Sequence, residues 1–191
     1  MLAIQGGIVA LLIGGLVLFI GIHILPTFAG ARAALAAKLG ENGYKLLFSV
    51  ISVAGLVLIV IGYGQAPRDQ VFEPSHTARV FLPAAMAIAF VLVAVASVPG
   101  RIRRVMRHPM MTGILIWAVL HLLANGDLAS NILFGTFALW SVFAILSVEH
   151  RGKRPGGMGS LRLDLAGVAV GLLLYAVVLT YHNELFGVPP L

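Results

Sequence analysis

The sequence predicts an all-α fold, a polytopic membrane helix bundle of about six transmembrane helices, on three observations. Sixty per cent of the residues are apolar and only ten per cent are charged, whereas soluble domains carry about a quarter charged residues. Mean hydropathy is +1.01. Eleven of the thirteen Lys and Arg residues fall into three clusters separated by long apolar runs: Arg32/Lys38/Lys45, Arg101/Arg103/Arg104/Arg107 and Arg151/Lys153/Arg154/Arg162. Alternate loops that keep positive charge mark a chain threaded repeatedly through a bilayer.

Six apolar segments are long enough to count as spans, given that about 20 helical residues cross the hydrocarbon core. They run over Ile4–Pro26, Tyr44–Gly64, Phe81–Val98, Met110–Ala124, Leu128–Val148 and Leu163–Tyr181. Pro83 falls in the first turn of the third, where a missing N–H costs little. Asn125-Gly126-Asp127 is a tight-turn signal that joins the fourth and fifth as a hairpin, with Asp127 placed to cap the fifth. Gly7, Gly14 and Gly21 recur every seven residues on the first span and predict a smooth ridge for close helix packing.

With the basic loops inside, both termini lie on the outer face. No Lys or Arg precedes Arg32, so the first segment lacks a signal peptide's basic start and is expected to be retained. The chain reads as one transmembrane domain over residues 1–191. A net charge of +6 and a pI near 10.3 would suit a nucleic-acid binder. Here the cations sit at the ends of apolar segments, so anionic lipid headgroups are the expected partner. The absence of cysteine excludes disulfides, thiolate metal sites, iron–sulfur clusters and covalent c-type haem, while leaving non-covalent cofactors open.

Ionisable residues inside a membrane span are functional candidates, because each must be desolvated or partnered. Of six histidines, His76, His150 and His182 read as interfacial. His23 and His121 are flanked by apolar residues, with no charged residue within four positions of either. One such histidine would be read as a helix tie; two invite a shared task. At about 1.5 Å per helical residue, His23 is expected about 13 Å and His121 about 21 Å from the inner headgroup level marked by Arg32 and Arg107. That offset suits imidazoles approaching opposite faces of one large ligand, so bis-histidine ligation of a haem between the first and fourth spans is the sharper expectation. His108 lies about 220° around the helix from His121 and cannot join it on one iron. Gly113, Trp117, His121 and Asn125 form one stripe, which suits a flat hydrophobic cofactor and equally suits helix packing. Arg107-His108-Pro109 opens the fourth span. Pro109 is a helix-start signal, and Arg107 with His108 can hold lipid phosphate or a haem propionate.

These residues carry a family likeness. Gly21-Ile22-His23-Ile24-Leu25-Pro26, the run Leu39–Ser49, Arg107-His108-Pro109-Met110 and above all Leu120–Ser130 resemble the motifs of the NnrU family over nearly the whole chain. The resemblance implies a bacterial inner-membrane protein, its termini periplasmic, linked to nitrite and nitric oxide metabolism in denitrifiers. The family is related to plant 15-cis-zeta-carotene isomerases, membrane enzymes that bind haem b through two histidines; their positions correspond to His23 and His121. Haem b is thus the implied cofactor, with respiratory or nitrogen-oxide reductases and a second copy of the chain as implied partners. A redox-regulated polyene isomerase and a cofactor-free accessory subunit are the competing functions. Arg107-His108-Pro109 also resembles the start of a cofactor motif in isoprenylcysteine carboxyl methyltransferases. Their C-terminal paired tyrosines and acidic residues are missing after Glu149-His150, which argues against methyl transfer.

Overall fold

Every long apolar run in the chain forms a helix. In the computed structural model, residues 2–152 and 159–190 are described, with side chains from residue 6, and 84% of the chain is helical. No strand occurs among the described residues; one isolated antiparallel bridge pairs Gln70 with Asp127. Lys153 and Arg154 of the third basic cluster lie outside the described residues. The helices are α1 (Leu2–Ile24), α2 (Ala29–Gln65), α3 (His76–Ala96), α4 (Arg101–Met106), α5 (Pro109–Asn125), α6 (Leu128–His150), α7 (Leu161–Thr180) and α8 (His182–Phe186). Five of them, α1, α2, α3, α6 and α7, are long and apolar enough to cross a membrane, and α5 is a shorter apolar helix. At 17 residues, α5 sits at the lower limit for a span. Apolar side chains lie exposed along every long helix, among them Val17, Val53, Phe81, Leu139 and Leu173. Exposed apolar surface of this extent is what lipid covers. The protein is a multi-pass membrane protein whose helices contact lipid.

Two compact units make up the chain, Met1–Arg68 and Asp69–Leu191. In the first, α1 packs on α2. The short 3-10 turn Leu25–Thr27 ends α1, and α2 breaks at Gly40, whose φ of 73° and ψ of 161° are non-helical. Because the chain turns at Leu25–Phe28, counting residues from His23 to Arg32 does not measure a depth along one helix axis.

The α1–α2 seam is built on glycines other than the expected ridge. A Cβ on Gly7, Gly14 or Gly21 would meet nothing, whereas one on Gly62 would lie 2.5 Å from the Leu12 amide nitrogen. One on Gly15 would lie 2.7 Å from the Ile59 nitrogen, and one on Gly55 2.8 Å from the Phe19 nitrogen. Gly14 and Gly15 are neighbours about 100° apart around the helix, so only one of the two can face α2. Gly15 does.

In the second unit α5 packs between α3 and α6, and α3 packs between α5 and α7. The α5–α6 turn forms as expected. Gly126 is left-handed at φ 74°. Asp127 caps α6, its Oδ1 accepting from the Ser130 N–H at 3.0 Å and its Oδ2 from the Ser130 hydroxyl at 2.6 Å. The segment ahead of α3 is strapped across this turn: Val71 N–H donates to Gly126 O, Leu128 N–H to Asp69 O and Ser75 N–H to Leu123 O, all at 2.9 Å. Arg79 Nε donates to Ala124 O at 2.9 Å. Helix α3 begins at His76, five residues before the apolar run, because the Ser75 side chain accepts from the Ala78 N–H. A Cβ at Gly126 would press on the Phe72 carbonyl and the Gln70 side chain. Gly126→Ala combines that contact with a positive φ and is expected to cost about 2 kcal/mol, read as a lowered denaturation midpoint in detergent; an unchanged midpoint would show that the strap can slide.

Candidate functional site

His121 sits on α5 in the second unit, half-buried. Its Nδ1 donates to the Trp117 carbonyl one turn earlier at 2.9 Å. The ring stacks on Phe134 of α6, with centroids 4.8 Å apart at 30°, and lies 5.7 Å from the Trp117 ring. Trp117 in turn meets Phe134 and Phe137 edge-on at 5.0 and 5.3 Å. These contacts fix the imidazole plane. They also commit Nδ1 as the proton carrier, which leaves a lone pair on Nε2; Nε2 makes no hydrogen bond among the described residues.

A partly open cavity of about 110 Å³ lies beside this ring, lined by Leu82, Met86, Phe90, Trp117, Tyr175 and His182 among others. It adjoins the apolar core of Ala78, Leu82, Met86 and Ala124. Sequence reasoning missed His182 and Tyr175, since both come from the last span and its sequel, and no local pattern ties them to α5.

The sequence-chosen residues separate into three places. Trp117 and His121 share the cavity. Asn125 ends α5 and donates Nδ2–H to the His121 carbonyl at 2.8 Å; it is not among the cavity-lining residues. Arg107 and His108 lie at the other end of α5 and both grip Glu149 near the end of α6. Arg107 Nη2 meets Glu149 Oε2 at 2.7 Å, and His108 Nε2 meets Glu149 Oε1 at 2.6 Å. Arg107 holds a φ of 60°, unusual for a side-chain-bearing residue. Glu149, forty-one positions from His108, had no sequence signal. His23 belongs to the first unit. Its Nδ1 donates to the Phe19 carbonyl at 2.7 Å; the ring stacks on Phe19 at 4.2 Å and meets Phe48 of α2 edge-on at 5.0 Å.

Both deep histidines therefore have Nδ1 anchored on the carbonyl four residues earlier. Carbonyl anchoring of one ring nitrogen is the usual support for a metal-ligating imidazole, so the donor chemistry suits axial ligation of haem iron. An apolar cavity of about 150 Å³ accepts a benzene ring. The His121 cavity alone therefore offers one imidazole nitrogen and one apolar wall, and does not enclose a macrocycle. Among the described residues no three His, Asp or Glu side chains gather to hold a bare metal ion.

The family model described as NnrU protein matches residues 11–190, a stretch that includes α2 through α8, both deep histidines, the Arg107–Glu149 grip and the cavity. No curated protein and no solved structure matches. The chain belongs to the NnrU family.

Proposed function

We propose that this chain is a haem b-binding protein of the bacterial inner membrane, with both termini periplasmic, supporting nitrite and nitric oxide metabolism. His121 and His23 would hold the haem iron. One observation carries the reading: a His121 imidazole locked in plane by Phe134, with Nδ1 fixed on the Trp117 carbonyl and Nε2 uncommitted beside an apolar cavity. His23 has the same local support from Phe19. Trp117 holds the His121 ring through its carbonyl and flanks it with its indole. Asn125 binds the His121 carbonyl and steadies the end of the helix. Arg107 and His108, paired with Glu149, fix the opposite end of α5. Bound haem would supply a one-electron redox centre. A nitrogen-oxide reductase or another respiratory protein in the same membrane is the partner this reading calls for, and a second copy of the chain is compatible with it.

Optical spectra of detergent-purified protein from haem-replete cells test the reading. Reduction is expected to sharpen the bands of a six-coordinate, low-spin haem. His121→Ala and His23→Ala are each expected to lower bound haem at least about tenfold, the scale of losing a ligand or its support. Colourless protein of full helical content would refute the reading, and unchanged haem in either variant would remove that ligand.

A further inference from the structure

The end of the chain closes over the His121 cavity. One residue separates α7 from α8, and Gly187, left-handed at φ 70°, turns the chain back so that Pro190 reaches the cavity wall. His182, the first residue of α8, donates Nδ1–H to the Val188 carbonyl at 2.8 Å and packs 5.0 Å from Phe186. That bond makes Nδ1 the donor and leaves Nε2 of the neutral ring as an acceptor. No hydrogen bond occupies Nε2 among the described residues. His182 is thus a second anchored imidazole on the same cavity.

Three properties define what this space would accept. Its volume of about 110 Å³ suits one six-membered ring, on the scale of cavities known to hold benzene. Aromatic and aliphatic walls, including Phe90, Trp117, Val178 and Leu179, favour a flat apolar body. The polar group offered by His182 is an acceptor, so it selects a hydroxyl and gives nothing to a carbonyl or an ether oxygen. A lipid acyl chain satisfies the walls but not the acceptor, and the cavity's open side leaves room for a tail.

We propose that this cavity binds the hydroquinone headgroup of a membrane quinol, with one ring hydroxyl donating to His182 Nε2 and the ring lying against Trp117. The site does not rest on the haem reading, since its acceptor is His182 and not His121, but it fills the same cavity, so a quinol ring and a haem would compete for that space.

Anaerobic titration of the detergent-purified full chain with a decyl-tailed hydroquinone tests it, following tryptophan fluorescence in a Trp140→Phe background so that Trp117 reports. Saturable quenching is expected. The dimethyl ether of the same ring is expected to bind at least about tenfold more weakly, the scale of one hydrogen bond in a desolvated site. His182→Ala should lose a similar factor, His182→Gln should recover part of it through its amide oxygen, and His76→Ala should match the wild type. Equal binding of hydroquinone and ether, or full affinity in His182→Ala, would overturn the proposal. If His182→Ala fails to fold by circular dichroism, the ether comparison decides alone. Haem content read from the visible spectrum of the same samples separates failure of this site from failure of haem ligation.

Discussion

Leucine in place of Gly62 is expected to destabilise the first unit by at least about 3 kcal/mol, the upper range for forced overpacking. A Cβ there would lie 2.5 Å from the Leu12 nitrogen and 2.8 Å from its Cα. Leu12 is fully buried, and what blocks the new side chain is backbone, which has no rotamer to change. The helices would have to separate along the run that joins Gly15 with Gly55 and Ile59. In a bilayer, close backbone approach of this kind drives helix association, since lipid is as apolar as the side chains it replaces. Denaturant titration of detergent-solubilised protein measures the effect. Gly14→Leu is the matched control, because a Cβ at that position meets nothing; equal losses in the two variants would count against the seam.

Asp164→Ala should cost the second unit about 3 kcal/mol. Asp164 lies in the first turn of α7, buried to 4% exposure, yet it caps a different helix. Its Oδ2 accepts from the Arg101 N–H at 2.8 Å and its Oδ1 from the Ile102 N–H at 3.2 Å, the opening amides of α4. Ser160 N–H binds the Pro99 carbonyl at 3.2 Å beside it. Truncation removes two charge-assisted bonds and leaves two sheltered N–H groups unpaired, each worth about 1–3 kcal/mol. Asp164→Asn, which keeps one acceptor, should fall between the two. Wild-type stability in the alanine variant would show that water replaces the carboxylate at no cost.

The spans were legible because hydropathy alone marks a helix that lipid must surround. All six predicted segments coincide with helices, and the Asp127 cap appeared where turn chemistry put it. Boundaries shifted where a helix runs beyond the apolar zone. Helix α2 begins at Ala29, since the stretch carrying Arg32 and Lys38 is helical without being apolar, and α3 begins at its Ser75 cap. The glycine ridge was misread because a seven-residue repeat specifies a face without saying which face meets a neighbour. His121 stood out as a lone polar residue in an apolar run. His182 did not, because its place depends on a backward turn at Gly187 and a bond to Val188. Glu149 with Arg107 and His108, and Asp164 with Arg101, are likewise pairings between distant stretches that no local pattern announces.

Two spans locked main chain to main chain cannot be adjusted for length one at a time. Inserting a single residue upstream of Gly55 in α2 would swing that glycine and Gly62 about 100° off the line of contact, presenting Ile61 to Leu12 and Ala54 to Phe19 instead. The hydrocarbon thickness that this pair of helices matches is therefore set jointly, and a thicker or thinner bilayer must be met by tilting the pair as a unit.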